Sequence, residues 1–197
     1  MGRTPRIVIA ILSLILLSAS AAPAEQWRYR VDPSASGVNA KVAFLGLASK
    51  TARFPAMAGS LSLPGQEDAA RTRPIALAVT LDARALQAPD PVTLKRLRGA
   101  HFFDVERYPV VRFTGQHLKM TGMRTAEVAG TLTVRGITRP ETLHVMFDRA
   151  PAELRGAQPL QLTGTMRIDR RAYGMTVWSM VVGRKVDITI RTRLVPE

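Results

Sequence analysis

The chain has 197 residues, a net charge of +13 at neutral pH and no cysteine. The missing thiols exclude disulfides, thiolate metal sites and cysteine nucleophiles. The positive charge favours anionic partners such as lipid headgroups or nucleic acid. Nucleic acid is the weaker of these, because the arginines are dispersed and few aromatic residues lie between them. A genome that encodes arginine freely explains the charge equally well.

The N-terminus has the order of features that is typical of a secretory signal peptide. Two arginines precede an apolar run at residues 7–17, and a small-x-small sequence follows at 22–24. The run is shorter than the roughly 20 apolar residues of a membrane-spanning helix, which favours cleavage over anchoring. We predict that residues 1–24, with two arginines and no acidic residue, are removed. Residues 25–197 would then form one periplasmic domain of 173 residues with a net charge of +11.

Alternation of apolar and polar residues with period two dominates the rest of the chain. The runs are separated by short turns, by a predicted polar loop at 65–73 and by a Pro- and Ala-rich loop at 149–159. Such a series predicts an all-β antiparallel sandwich or barrel. The apolar faces are Trp27, Tyr29 and Val31; Val38, Ala40, Val42 and Phe44; Ile75, Leu77, Val79 and Leu81; Val111 and Phe113; Val128, Leu132 and Val134; Leu143, Val145 and Phe147; Leu160, Leu162, Met166 and Ile168; Val186, Ile188, Ile190 and Leu194.

One segment has the pattern of a short helix. Asp90 is a suitable N-cap, and Pro91 suits the first helical position. Leu94 and Leu97 give an apolar stripe, and Gly99 is a natural terminator. We therefore predict one helix close to residues 90–99 within an otherwise β-structured domain.

No catalytic constellation is evident in the sequence. The nucleophile elbow Gly-x-Ser-x-Gly is absent, and no two histidines have the spacing of a zinc motif. Asp104 and Glu106 lie two apart and could pair for acid–base chemistry, but Arg107 and Arg112 are close, which favours an ion-paired structural corner. We predict no catalytic residue, no metal and no cofactor. The histidines are His101, His117 and His144.

Four motifs span nearly the whole chain that follows the signal peptide. They are WRYRVDP at 27–33, FFDVERYPVVRF at 102–113, GTLTVRGITRP at 130–140 and IDRRAYGM at 168–175. In this order and spacing they resemble the YceI-like family of periplasmic lipid-binding proteins. The resemblance implies an extended antiparallel lipocalin-like β-barrel with one short helix and a polyisoprenoid chain in its lumen. Phe44 stands where members often carry a histidine, which makes that end of the lumen more apolar.

The resemblance and the alternation together predict the residues of a lipid site. The lumen should be apolar, and a basic or hydroxyl group at its mouth should hold the lipid head. The candidates for the mouth are Arg170, Arg171 and Tyr173. The candidates for the lumen are Val42, Phe44, Leu77, Val79, Phe113, Leu132, Phe147, Met166, Trp178 and Ile188.

Several functions remain open from the sequence. The lipid could be an isoprenoid quinone in a carrier that serves respiration or stress tolerance, and the basic surface could contact an anionic membrane. An enzyme acting on an amphiphilic substrate would need a carboxylate or histidine pair inside the cavity. A structural protein with a filled core and a partner surface would have no cavity. Nothing in the sequence specifies the oligomeric state.

Overall fold

The computed structural model describes residues 26–64, 72–153 and 158–197. The predicted signal peptide lies outside the described residues, as do most of the first predicted loop and part of the second. Within the described residues, no helix has the length and hydrophobicity needed to cross a membrane.

The described residues form one antiparallel sheet of ten strands with the order β1-β4-β5-β6-β7-β8-β9-β10-β2-β3. Most neighbours in the sheet are also neighbours in sequence, which the short connections allow. The strands are β1 (Gln26–Val31), β2 (Gly37–Phe44), β3 (Ala48–Phe54), β4 (Met57–Pro64), β5 (Thr72–Asp82), β6 (Val110–Met120), β7 (Thr125–Val134), β8 (Ile137–Phe147), β9 (Leu160–Asp169) and β10 (Val182–Pro196).

The sheet closes on itself because β1 pairs with two strands. Its residues face β4 on one side, and Tyr29, Arg30 and Val31 pair with the end of β10 on the other. Eight strands, β1 and β4 to β10, therefore complete a barrel, which confirms the predicted fold. The hairpin of β2 and β3 adds to the earlier part of β10, from Val182 to Arg191.

Strand β3 is the last strand in the sheet order. Beyond β2, its only β-bridge within the described part of the chain joins Arg53 to Gln87. The edge of β3 that faces away from β2 is covered by the segment that connects β5 to β6. That segment contains the single α-helix of the described residues, α1 (Pro91–Arg98).

The helix has the boundaries that its sequence predicted. The Asp90 carboxylate accepts the N–H of Thr93 at 2.8 Å, and the N–H of Gly99 donates to two carbonyls of the last turn. Lys50 of β3 donates to Asp90 at 3.0 Å and so joins the helix cap to the barrel wall. Leu94 and Leu97 pack partly buried against the core, so the helix covers one end of the barrel.

The two ends of the barrel differ. At the helix end lie α1 and the turns at 45–47, 135–136 and 170–181; at the far end lie the turn at 121–124 and the end of β8. Inward side chains fill the far end, where Leu118, Leu143 and Leu160 are buried. The strands alternate as predicted: in β5 the inward face carries Leu77, whereas Ala78 is exposed.

The turn between β7 and β8 contains a glycine with a positive φ angle. Gly136 has a φ angle of 72°, in the left-handed region where a side chain is strained. A Cβ at this position would also lie 3.0 Å from the ring of Tyr108. The turn therefore packs directly on the segment that follows α1.

Candidate functional site

A cavity of about 380 Å³ occupies the helix end of the barrel. Its walls are the inward faces of β2, β3, β5, β6, β7, β9 and β10, together with α1 and the segments that follow α1 and β9. The volume is within the range of about 300–1,000 Å³ that small-molecule sites occupy. Twenty-four of the thirty lining residues are apolar; the polar ones are Lys50, Thr51, Asp90, Thr93, Arg96 and Arg170.

Most of the side chains predicted for the lumen do lie along this cavity. Whether they bind a lipid stays a prediction. The eight that line it are Val42, Phe44, Val79, Phe113, Leu132, Met166, Trp178 and Ile188.

Two predicted lumen residues do not line the cavity, although both point inward. Leu77 is half-buried and lies over the backbone of Gly115, where an added Cβ would come within 3.2 Å of it. Phe147 is buried at the end of β8, beside Leu162 at the far end of the barrel. Both residues therefore lie on the inward face of their strands but at a different position along the barrel axis from the cavity, and their role in a lipid site stays a prediction.

The three predicted mouth residues have three different environments. Arg170 lines the cavity, and Arg171 is exposed and lies outside the lining. Tyr173 is fully buried, and its hydroxyl donates to the carboxylate of Glu141 at 2.8 Å, away from the cavity. Burial, followed by the hydrogen bond with Glu141, raises the pKa of Tyr173. Placing Arg171 and Tyr173 at the mouth was therefore wrong, because the tight 3₁₀ turn directs them to other sides.

The guanidinium of Arg170 is held by backbone oxygens. It donates to the carbonyls of Gly183 and Val182, both at 2.9 Å, and to that of Met175. The residue is only 2 % exposed, and no salt bridge to it occurs within the described ranges. Burial, with a smaller contribution from the neighbouring charge of Arg171, lowers its pKa. A guanidinium stays protonated in proteins, so a buried positive charge borders the cavity.

The helix supplies a wall that the sequence analysis did not include in the site. Val92, Arg96 and Leu97 of α1 line the cavity. The guanidinium of Arg96 lies 4.8 Å from the ring centre of Trp178, so this contact spans the cavity between α1 and the segment before β10. The helix itself was predicted, but period-two alternation gives no sign of which surface a helix covers.

Trp178 has an unusual backbone conformation. Its φ angle is 59°, in the left-handed region that a bulky side chain rarely adopts. The carbonyl of Trp178 accepts the N–H groups of Val181 and Val182 at 3.0 and 2.7 Å, which forms a tight turn before β10. Strained residues of this kind occur where the surrounding structure holds them, often at ligand clamps.

One carboxylate lies among the lining residues of the described chain. Hydrogen bonds from the backbone of Thr93, and then from the side chains of Lys50 and Thr93, lower the pKa of Asp90 to about 2. Asp90 is therefore ionised and engaged in capping the helix. His101, His117 and His144 do not line the cavity. Within the described residues, Asp104 and Glu106 form no ion pair with Arg107 or Arg112, so the predicted ion-paired corner is not present there.

Comparison with known proteins identifies the family. Residues 29–194 match the sequence model of the YceI-like domain. The chain belongs to the YceI-like family. A relative from Pseudomonas putida, described as a UPF0312 protein, is 27 % identical over 164 residues, which are 83 % of this chain and 83 % of the relative. Another UPF0312 protein, from Vibrio cholerae, is 28 % identical over 142 residues, which are 72 % of this chain and 73 % of the relative.

Solved structures share the YceI-like fold. Burkholderia cenocepacia BcnA matches with a TM-score of 0.69 and 19 % identity, over 83 % of this chain and 98 % of that one. A polyisoprenoid binding domain from Saccharophagus degradans matches with a TM-score of 0.63 and 15 % identity, over 86 % and 98 % of the two chains. Both likenesses concern the fold.

Proposed function

We propose that this YceI-like protein binds a polyisoprenoid or a similar amphiphilic lipid in the cavity at the helix end. The observation that carries the proposal is an apolar cavity of about 380 Å³ inside a barrel whose far end is filled. Burial of hydrocarbon contributes about 25 cal/mol per Å², so an apolar tail needs few polar contacts in such a space. The described polyisoprenoid-binding function of a protein with the same fold supports this choice of ligand.

Arg170 is the proposed contact for the lipid head. A guanidinium has five N–H donors, and three hydrogen bonds to carbonyls leave donor capacity on a buried positive charge. An oxygen acceptor, such as a quinone carbonyl, a phenolate or a phosphate, would satisfy that capacity. An isoprenoid quinone therefore stays within the proposed ligand class, together with the physiological role in respiration or stress tolerance that such a ligand would suggest.

The lining favours binding over catalysis. Asp90 is the one carboxylate among the lining residues of the described chain, and its oxygens already accept hydrogen bonds from Lys50 and Thr93. An enzyme acting on an amphiphilic substrate would need a free acid or base facing the cavity. The cavity itself argues against the alternative of a completely filled barrel.

The proposed location is the periplasm, after export and cleavage of residues 1–24. The support is the order of basic, apolar and small-residue segments at the N-terminus. N-terminal sequencing of the protein from its own host tests this. A chain beginning at Glu25 in the periplasmic fraction is expected, and a chain with an intact Met1 in the membrane fraction would contradict the proposal.

Native mass spectrometry of the protein purified from its own periplasm tests the ligand. We expect a mass increment that organic extraction removes and whose fragments contain isoprene units. The extracted lipid should bind again to the stripped protein in equal molar amount. Protein that carries no lipid and takes up no fluorescent isoprenoid in solution would refute the proposed function.

A further inference from the structure

Five exposed apolar side chains surround the opening of the cavity. Val92 and Trp178 both line the cavity and are exposed, so they mark where it opens. Leu47 lies in the turn that follows β2, and Met180 lies in the turn that precedes β10, at the same end of this strand pair. Their side chains are 100 % and 97 % exposed. We call these residues the mouth rim: Leu45, Leu47, Val92, Trp178 and Met180.

Direct contacts bring the three segments of the mouth rim together. The N–H of Leu45 donates to the carbonyl of Val181 at 2.8 Å, which joins the β2–β3 turn to the turn before β10. Arg96 stacks on Trp178 and so joins that turn to α1. The mouth rim is therefore one surface built from tips of turns and one helix, rather than scattered exposure around the barrel.

The charges on these segments are almost all of one sign. Residues 37–54, 90–98 and 174–185 contain eight basic residues and one acidic residue, Asp90, which pairs with Lys50. Lys95 and Arg96 of α1 are exposed beside the apolar side chains. The basic residues are Lys41, Lys50, Arg53, Lys95, Arg96, Arg98, Arg184 and Lys185.

We propose that the mouth rim docks the protein on an anionic lipid bilayer. Its apolar side chains would enter the headgroup region, and the surrounding lysines and arginines would contact acidic headgroups. Interfacial binding depends on this combination of buried apolar area and attraction to anionic lipid. A protein interface fits less well, because the central part of such interfaces is depleted of lysine, whereas basic side chains lie between the apolar tips here.

Docking in this orientation places the opening of the cavity against the membrane. A lipid tail could then pass between bilayer and cavity without crossing water. The docking surface goes beyond the proposed cargo, because Leu47 and Met180 do not line the cavity. Vesicle binding and ligand uptake can therefore succeed or fail separately.

The first test measures co-sedimentation of the mature protein with vesicles. We expect binding to vesicles of phosphatidylcholine mixed with phosphatidylglycerol, weaker binding to phosphatidylcholine alone, and a decrease as salt is raised. The fluorescence of Trp178 reports the orientation, since the only other tryptophan, Trp27, is buried. Its emission should shift to shorter wavelength on binding and be quenched by brominated lipid.

Matched variants locate the surface. Leu47→Asp and Met180→Asp should each weaken partition into the mixed vesicles by about tenfold, equivalent to about 1.4 kcal/mol. Met123→Asp is the control, because Met123 is 80 % exposed in the turn at the far end. All three variants should keep isoprenoid uptake in solution. Equal loss in the control, or a wild type whose Trp178 emission does not change with bound vesicles, would overturn the proposal, as would absence of vesicle binding.

Discussion

A bulky substitution in the wall of the cavity should reduce the affinity for a ligand more than it reduces the stability of the fold. Ala40 lies on β2, lines the cavity and is flanked by Ala52 and Ile188 on the neighbouring strands, which also line it. Substitution Ala40→Phe directs an aromatic ring into the space that a ligand tail would occupy. The substitution begins from a small side chain, so no existing apolar group is lost.

The size of the effect follows from the atoms displaced. The ring adds about six carbon atoms, and at roughly 0.3 kcal/mol per ligand atom the affinity should fall by about 2 kcal/mol. That loss corresponds to a decrease of roughly 20- to 30-fold in affinity. Overpacking a filled core costs about 1–3 kcal/mol of stability, whereas a ring that enters a cavity of about 380 Å³ should cost less.

Titration with a fluorescent isoprenoid measures the affinity, and urea unfolding followed by circular dichroism measures the stability. Ala78→Phe is the matched control, because Ala78 lies on a strand with its side chain exposed on the outer surface. We expect the control to bind like the wild type. Unchanged affinity in Ala40→Phe would show that the ligand does not occupy this cavity. A loss of about 1–3 kcal/mol of stability in Ala40→Phe would show that the cavity has no room for the added ring.

Two further predictions concern polar groups beside the cavity. Arg170→Met should lower the free energy of unfolding by about 1–3 kcal/mol, because three carbonyls lose their hydrogen-bond donor. The control is Arg171→Met, since Arg171 is exposed. Equal stability of the two variants would show that the hydrogen bonds of Arg170 do not stabilise the fold. Hydrogen bonding lowers the pKa of Asp90 from 3.8 to about 2 in the folded protein. The ionised carboxylate therefore contributes its full stabilisation above the pKa of the unfolded chain, and this contribution is lost as the pH falls through the pKa of the folded protein. Asp90→Ala should therefore unfold at a lower temperature than the wild type near neutral pH, and the difference should vanish in strong acid. A difference that persists there would contradict the assignment.

The sequence predicts which side chains of a strand share a face better than it predicts their position along the barrel axis. Alternation groups Leu77 and Val79 of β5 on one face because a strand has a strict period of two, and the structure directs that face inward. Leu77 and Val79 share that face and lie about 7 Å apart along the strand, yet only Val79 lines the cavity. The difference depends on Gly115 of the neighbouring strand, over which Leu77 packs, and such pairing across strands is not visible in one segment.

The helix illustrates the same division between local and tertiary information. Its limits at Asp90 and Gly99 follow from capping, which is local chemistry. Its role as a wall depends on the covered edge of β3 and on the contact between Arg96 and Trp178. Arg170 was predicted from its motif, but its partners lie in the turn and strand that follow, so neither its burial nor its carbonyl cage could be derived from spacing.

The single-sided pairing of β3 has a consequence for local unfolding. Strands β6 and β7 have a strand on each side, whereas β3 is bonded to β2 and otherwise bridges only at Arg53 among the described residues. Amide protons of β3 should therefore exchange with solvent through a small local opening, while those of β6 and β7 require disruption of the closed ring. The least protected part of the wall thus borders the cavity, and we expect transient release of the β2–β3 hairpin to widen the cavity while the ring of eight strands stays folded.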